Sequence, residues 1–478
     1  MAVVAASVAG TASDVRADVV EQYSLGRPQF LYDGQLRLPA GFEHFGYAVA
    51  MDRTHVLVGS PGTFGHGEDP LRAADFTEAA FLYDRITGNH LVTFANETQD
   101  TAPLSDQQNI DYENWRDSFG GSVALLDDGR IAVGAYGKDK PGGNDAGEVY
   151  LFEAPLIGSV VGAPDVTIQN PNASLGDEFG HSLAAVGNGS VLVGAPGQEW
   201  LNPGPSQDPT EGPGAAYLFD RQGALIQTFQ SVDGNKQDEF GKSVAAHASM
   251  LLVGAYLDDR DSNNPGLNTG RVYTYQNQSG TYVDHPDSPI ESMSPVSGSS
   301  FGWTVAANDQ FVLIGAPTDS VIGARTGAAY LFDHAGNQMA TLAMPAQFAP
   351  NALQRFGFSV ALVGDYAVVG ATLYTGAGGG IFIFNAKPGT GAMLGQFEEA
   401  ILGEPGGQLG WSLGGYGRHL VSGSEYDDLY VHQGGTAYVY TVPTPSSCAT
   451  FLVLLAFVTT PLRSRYRTPH GGPLKARV

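Results

Sequence analysis

Seven times along this chain an aromatic residue or leucine followed by glycine opens a short apolar segment. The segments are FGYAVA at Phe45, FGGSVA at Phe119, FGHSLA at Phe179, FGKSVA at Phe240, FGWTVA at Phe301, FGFSVA at Phe356 and LGWSLG at Leu409. Each is answered by a β-branched run ending in glycine and a small residue, at Gly59, Gly134, Gly194, Gly254, Gly315, Gly370 and Gly423. The offset between the two is 14 residues in five units and 15 in two. A third, alternating run follows: AAFLYD around Phe81, EVYLFE around Tyr150, AAYLFD around Tyr217, RVYTYQ around Tyr273, AAYLFD around Tyr330, GIFIFN around Phe382 and TAYVYT around Tyr438. Alternation with period two marks strands with two unlike faces. A weaker fourth segment closes most units, such as ALIQTFQ from Ala224. No stretch within the units keeps the 3.6-residue period of a long helix.

One such unit of 53–74 residues cannot bury its strands alone, but seven arranged radially cover one another. The expectation is an all-β chain, a seven-bladed β-propeller of four-stranded antiparallel blades. The seventh unit supplies three strands and stops at Thr441, whereas LYDGQLRLPAGFEHFG from Leu31 reads as strand, turn, strand. The N-terminal strand is therefore expected to close the last blade and remove an exposed sheet edge. The chain divides into a signal-like leader at 1–22, the propeller at 23–441 and a tail at 442–478.

FG-x-S-V-A followed by V-L-V-G-A-P resembles the FG-GAP repeats of the integrin α-subunit propeller. It is closer still to a short bacterial version, in which a compact hairpin joins FG to GAP and a G-A-Y-L-F strand follows. The resemblance covers Phe45 to Thr441. The integrin-type family holds calcium in the FG-to-GAP hairpin through D-x-D-x-D-G, whose alternating oxygens wrap a hard cation. Here those hairpins read AMDRTH, ALLDDGR, AVGNGS, AHASM, AANDQF, ALVGDY and GGYGRH. None spaces three acidic ligands, so no cofactor is expected and calcium binding is not carried over from the hairpins, a different calcium site at Asp258, Asp259 and Asp261 being the alternative.

Charge narrows the partners. The formal net charge of −25 repels phosphate backbones, which excludes nucleic acid. The single cysteine, Cys448, permits neither an intrachain disulfide nor a Cys-based zinc site. Glycine numbers 64 while charged residues make up 15%, a balance suited to short strands and tight turns. A monomeric propeller is expected.

Four antiparallel strands per blade place the second-to-third and fourth-to-first loops on one face of the disc. The second-to-third loops vary most in length, and length variation on a rigid scaffold concentrates where binding evolves. The ligand-face candidates there are Trp200, Asp258, Asp259, Asp261, Asp427 and Asp428. No H-E-x-x-H or Walker segment is present and no nucleophile elbow is read, so no catalytic residue is assigned. His181, His247 and His419 read as packed or hydrogen-bonded.

After Thr441 the chain changes character. Pro443 and Pro445 precede an apolar run from Ala449 to Val458, and Arg463, Arg465 and Arg467 follow. The run is shorter than the roughly 20 residues of a spanning helix. The order of motif, apolar segment and basic cluster resembles the PEP-CTERM sorting tail of bacterial exported proteins, with Thr444 where that family has Glu. The resemblance implies export to the cell surface or medium, with transient or C-terminal membrane association. The functional expectation is an exported adhesion or binding propeller for a protein or glycan. Its alternative is an exported hydrolase or lyase with carboxylates in the central funnel.

Overall fold

The computed structural model describes residues 20–25, 31–32, 35–36 and 44–442, less the stretches 63–77, 97–116, 140–144, 154–158, 199–211, 232–236, 260–266, 294–295, 324, 349–353, 374–377, 388–392, 404–405 and 426–434. Seven antiparallel sheets of four strands follow one another along the chain, each repeat unit forming one blade. In the fourth blade the inner strand is Phe240–His247, followed outward by Met250–Ala255, Arg271–Gln278 and Thr281–Asp284. The first blade gains a fifth strand: Ser159–Val161, from the third-to-fourth connection of the second blade, runs parallel to His90–Ala95.

Burial explains the composition of each strand. The second strands, such as Met250–Ala255, and third strands, such as Ala215–Phe219, are buried on both faces and are continuous apolar runs. Inner strands range from half-buried, as at Ser182–Val186, to almost wholly buried, as at Phe119–Leu125, while outer strands such as Val166–Gln169 mix buried and exposed positions. The core lies between blades: seven apolar clusters each join two neighbouring blades. One of them unites Phe45, Val56, Val58, Ala79 and Phe81 of the first blade with Val421, Ala437 and Val439 of the last.

The repeated letters are the joints between blades. In every unit the residue after FG donates its N–H to the carbonyl three residues earlier, as Lys242 does to Glu239 and Trp411 to Gln408. The glycine between them has φ between +86° and +97° in all seven units, the third position of a type II turn. Its carbonyl then accepts the serine hydroxyl of the preceding blade: Ser122 to Gly180 (2.5 Å), Ser182 to Gly241 (2.8 Å), Ser243 to Gly302 (2.9 Å) and Ser359 to Gly410 (2.6 Å). Ser412 to Gly46 (2.7 Å) closes the circle across 366 residues of sequence. The V-G-A glycines sit against the same carbonyls, where a Cβ would overlap them.

An N-terminal strand closes the ring, but from a different stretch than expected. Val20–Leu25 pairs antiparallel with Thr436–Thr441 as the outer strand of the last blade. The segment from Leu31 instead folds on itself, Leu31–Tyr32 against Gln35–Leu36. These two-residue strands are too short for an outer edge.

Candidate functional site

The type II turn has a second effect. In four blades it sits inside a bulge, with Phe240 opposite Ala255 but Ser243 opposite Gly254, and likewise at Phe119, Phe356 and Leu409. The residue after each glycine thereby leaves the ladder and stands at the inner end of its blade, on the second-to-third-loop face. The seven residues are Tyr47, Gly121, His181, Lys242, Trp303, Phe358 and Trp411. Gly121 leaves room for the Tyr136 ring, which a Cβ there would strike.

Together they line the inner ends of the blades. Tyr47 meets Trp411 at 5.6 Å between ring centroids, Trp411 meets Phe358 at 4.8 Å, and Phe358 meets Trp303 at 5.6 Å. Tyr256 adds to the fourth blade at 4.7 Å from Trp303. The Lys242 ammonium lies 5.5 Å from the Trp303 ring and 5.7 Å from that of Tyr256. His181 packs on Tyr136 at 5.3 Å, and Tyr136 is the neighbour of Tyr47. All of these side chains are half-buried.

A second tier stands one turn earlier. His44, Ser118, Glu178, Glu239, Ser300, Arg355 and Gln408 precede the seven Phe or Leu residues, and all have φ between +48° and +65°, from 50° at His44 to 63° at Gln408. None is glycine, although this conformation costs an L-residue roughly 1–2 kcal/mol. Their side chains brace the ring. Glu239 accepts from Tyr256 Oη (2.9 Å) and pairs with Lys242 (3.1 Å). Glu178 stands 3.9 Å from His181 Nε2, and the Arg355 guanidinium lies 5.8 Å from Phe358. His44 Nδ1 is in hydrogen-bond contact with the buried Glu425 carboxyl of the last blade.

Burial, reinforced by the Lys242 charge, holds His181 well below the usual imidazole range and therefore neutral. The Tyr136 phenol is raised by burial, and that of Tyr47 chiefly by its neighbour Tyr136 and then by burial, so both remain protonated. The funnel is thus an aromatic and hydrogen-bonding surface whose carboxylates already have partners.

The residues singled out from sequence are placed as follows. Asp258 is buried; its carboxylate accepts from Tyr273 Oη (2.7 Å) and pairs with Arg271 (3.3 Å). Asp259 is also buried and accepts the Asn268 N–H at 2.7 Å. The two carboxylates thus shape the root of the loop. Trp200, Asp261, Asp427 and Asp428, with Pro443, Pro445, Arg463, Arg465 and Arg467, lie outside the described residues. Among the described residues, no three His, Cys, Asp or Glu side chains gather as a metal site would. His247 hydrogen-bonds Asp309 at 2.8 Å and His419 bonds Thr441 at 3.2 Å.

Sequence reasoning passed over the ring because its residues occupy the one variable letter in a constant frame. Y, G, H, K, W, F and W at that letter were the available signal.

Among known families, the FG-GAP repeat model matches residues 113–152, 226–275 and 295–332. No curated protein matches the chain. With the turns, bulges and seven blades above, the molecule is a seven-bladed β-propeller in which these three stretches are similar to FG-GAP repeats.

Proposed function

We propose that this propeller is a binding module, exported or held at the cell surface, that recognises a protein or glycan through its second-to-third-loop face. The axial ring carries the proposal: large, half-buried aromatic side chains gathered at one end of the channel, each set by a strained turn residue. A concave, largely aromatic surface with a few fixed polar groups is the usual form of a ligand site. Its strain is tolerated at seven successive positions, as expected where the scaffold over-determines a functional surface. Export rests on the order of Pro443, the apolar run and the arginines in the tail, where positive charge would hold that end on the cytoplasmic side.

A glycan array and a cross-linking pull-down with the full chain test the reading. The expected result is a ligand whose binding is lost in a Trp303→Ala/Trp411→Ala variant of unchanged melting temperature. Ligand capture indifferent to the whole loop face would overturn it. Intact-mass analysis of the native protein tests export: a mature chain lacking Arg463, Arg465 and Arg467 is expected, and a cytoplasmic form ending at Val478 would defeat it.

A further inference from the structure

The two halves of the funnel wall differ in kind. Blades five, six, seven and one contribute Trp303, Phe358, Trp411 and Tyr47 in unbroken ring contact. Blades two, three and four contribute Tyr136, His181, Lys242 and Tyr256, with Glu178 and Glu239 beside them. We infer that the funnel takes a neutral saccharide, the apolar face of a pyranose lying on the aromatic crescent while vicinal hydroxyls bridge Lys242 and Glu239. The inference rests on the binding reading above and narrows it to one ligand class.

The polar half suits hydroxyls because it offers donors and acceptors side by side. Lys242 Nζ and Glu239 Oε2 are 3.1 Å apart. An ammonium supplies three donors and a carboxylate only acceptors, so each of two adjacent hydroxyls can accept from one and donate to the other. Tyr256 fixes the second oxygen of Glu239 at 2.9 Å and so holds the pair in place. Across the polar crescent, the Glu178 side chain is 41% exposed and presents a further acceptor. His181 Nδ1 is buried and has no hydrogen-bond partner.

Other chemistries fit less well. A cationic ligand would meet Lys242, which already lies over the Trp303 and Tyr256 rings. An anionic one would face Glu178 and Glu239 on a chain of net charge −25. A wholly apolar one would desolvate the polar crescent without returning hydrogen bonds. Hydroxyls on one side of a flat carbon face satisfy both halves.

Trp303 and Trp411 are two of the four tryptophans, so intrinsic fluorescence reads the ring directly. The full chain is titrated with methyl glycosides of glucose, galactose and mannose, and screened on an array of neutral, uronate and sialylated glycans. A saturable fluorescence change with at least one neutral sugar is expected. Lys242→Met and Glu239→Gln should each weaken it at least tenfold. Trp303→Phe, which keeps an aromatic face, should weaken it less than Trp303→Ala. Melting temperatures establish that each variant is folded, and Asp220→Ala on the opposite face serves as control. Neutral-glycan binding that these variants leave unchanged would overturn the funnel assignment while the binding reading stands. Preference for uronate or sialylated glycans, or no glycan binding at all, would overturn the saccharide. The cross-linking pull-down then decides the binding reading separately.

Discussion

Glu78 occupies the place that glycine holds in the other six blades, at Gly147, Gly214, Gly270, Gly327, Gly379 and Gly435. Five of those junctions use a backbone bond: the next blade's Phe or Leu N–H donates to the carbonyl just before the glycine, as Phe356 does to Thr326. At the first junction Phe119 N–H donates instead to Glu78 Oε2 (3.2 Å), and Ser118 N–H donates to Oε1 (3.0 Å). Burial first, and Asp117 second, push the Glu78 carboxyl up to about 7, against the pull of hydrogen bonds from Phe119, Asn96 and Ser118. Asp117 is itself paired with Lys138 at 2.8 Å. A carboxyl raised on folding stabilises most below its unfolded value, near 4.3, and that stability is lost as pH climbs toward 7. The urea midpoint should therefore fall between pH 4.5 and 7.5, by up to about 3 kcal/mol of stability from this group, and Glu78→Gln should flatten that segment. A profile identical in both proteins would refute the assignment.

Glycine is tested at the same scale by a pair of substitutions. Gly241 has φ +97° and a Cβ there would run into the Ala215 carbonyl, whereas Gly406 has φ +98° and open space around it. Gly406→Ala should cost only the backbone strain, about 1 kcal/mol. Gly241→Ala should cost about 3 kcal/mol or more, because a neighbouring blade must also move. Equal losses of melting temperature would mean that the turn, not the blade contact, selects the residue. This division was only half legible in the sequence. The repeated F-G and V-G-A letters announced joints, but that one glycine's carbonyl docks on the other's Cα needs two units from distant sequence. The ring residues were hidden for the opposite reason, since variability reads as indifference until the bulge places them on one axis.

Among elements, the strand that closes the ring is the informative one. VEQYSL at Val20–Leu25 sits where small, leader-like residues give way to ordinary sequence, and LYDGQL drew attention because of its turn signal. A turn signal of that kind favours pairing of a segment with itself, while the last blade takes a six-residue partner for Thr436–Thr441. Removing residues 1–25 should therefore expose the third strand of the seventh blade as a bare edge. Lower melting temperature and proteolysis within the seventh blade are expected. Removing residues 1–19 should leave both unchanged, and similar behaviour of the two truncations would disprove the strand's role.

At the scale of the whole molecule, one type II turn recurs at all seven joints, and several acidic hairpins tie neighbouring blades together on the other face. On the face opposite the funnel, the Asp127 carboxylate of the second blade accepts the Asn188 and Gly189 N–H groups of the third (2.8 and 2.6 Å). Asp128 pairs with Arg130 at 2.8 Å, and Arg130 reaches the Gly189 carbonyl at 2.9 Å. Asp52 takes the Thr54 and His55 N–H groups, both at 2.6 Å, and together with the His55 side chain these hold its carboxyl down to about 2 despite partial burial. Asp309 spans from the fifth blade to His247 of the fourth. Hairpin carboxylates that cap backbone amides and neighbouring blades replace, in these positions, the work that bound cations do in D-x-D-x-D-G loops. If these carboxylate bonds are what hold the hairpins, chelation should leave the melting temperature of the full chain within about 1 °C. By contrast, Asp127→Ala should lower it by a few degrees, since the exposed Asn188 N–H and the part-buried Gly189 N–H lose their acceptor at a net cost of about 1 kcal/mol. A fall of many degrees in EGTA, reversed by added calcium, would show instead that the ring is clamped by an ion at its loops.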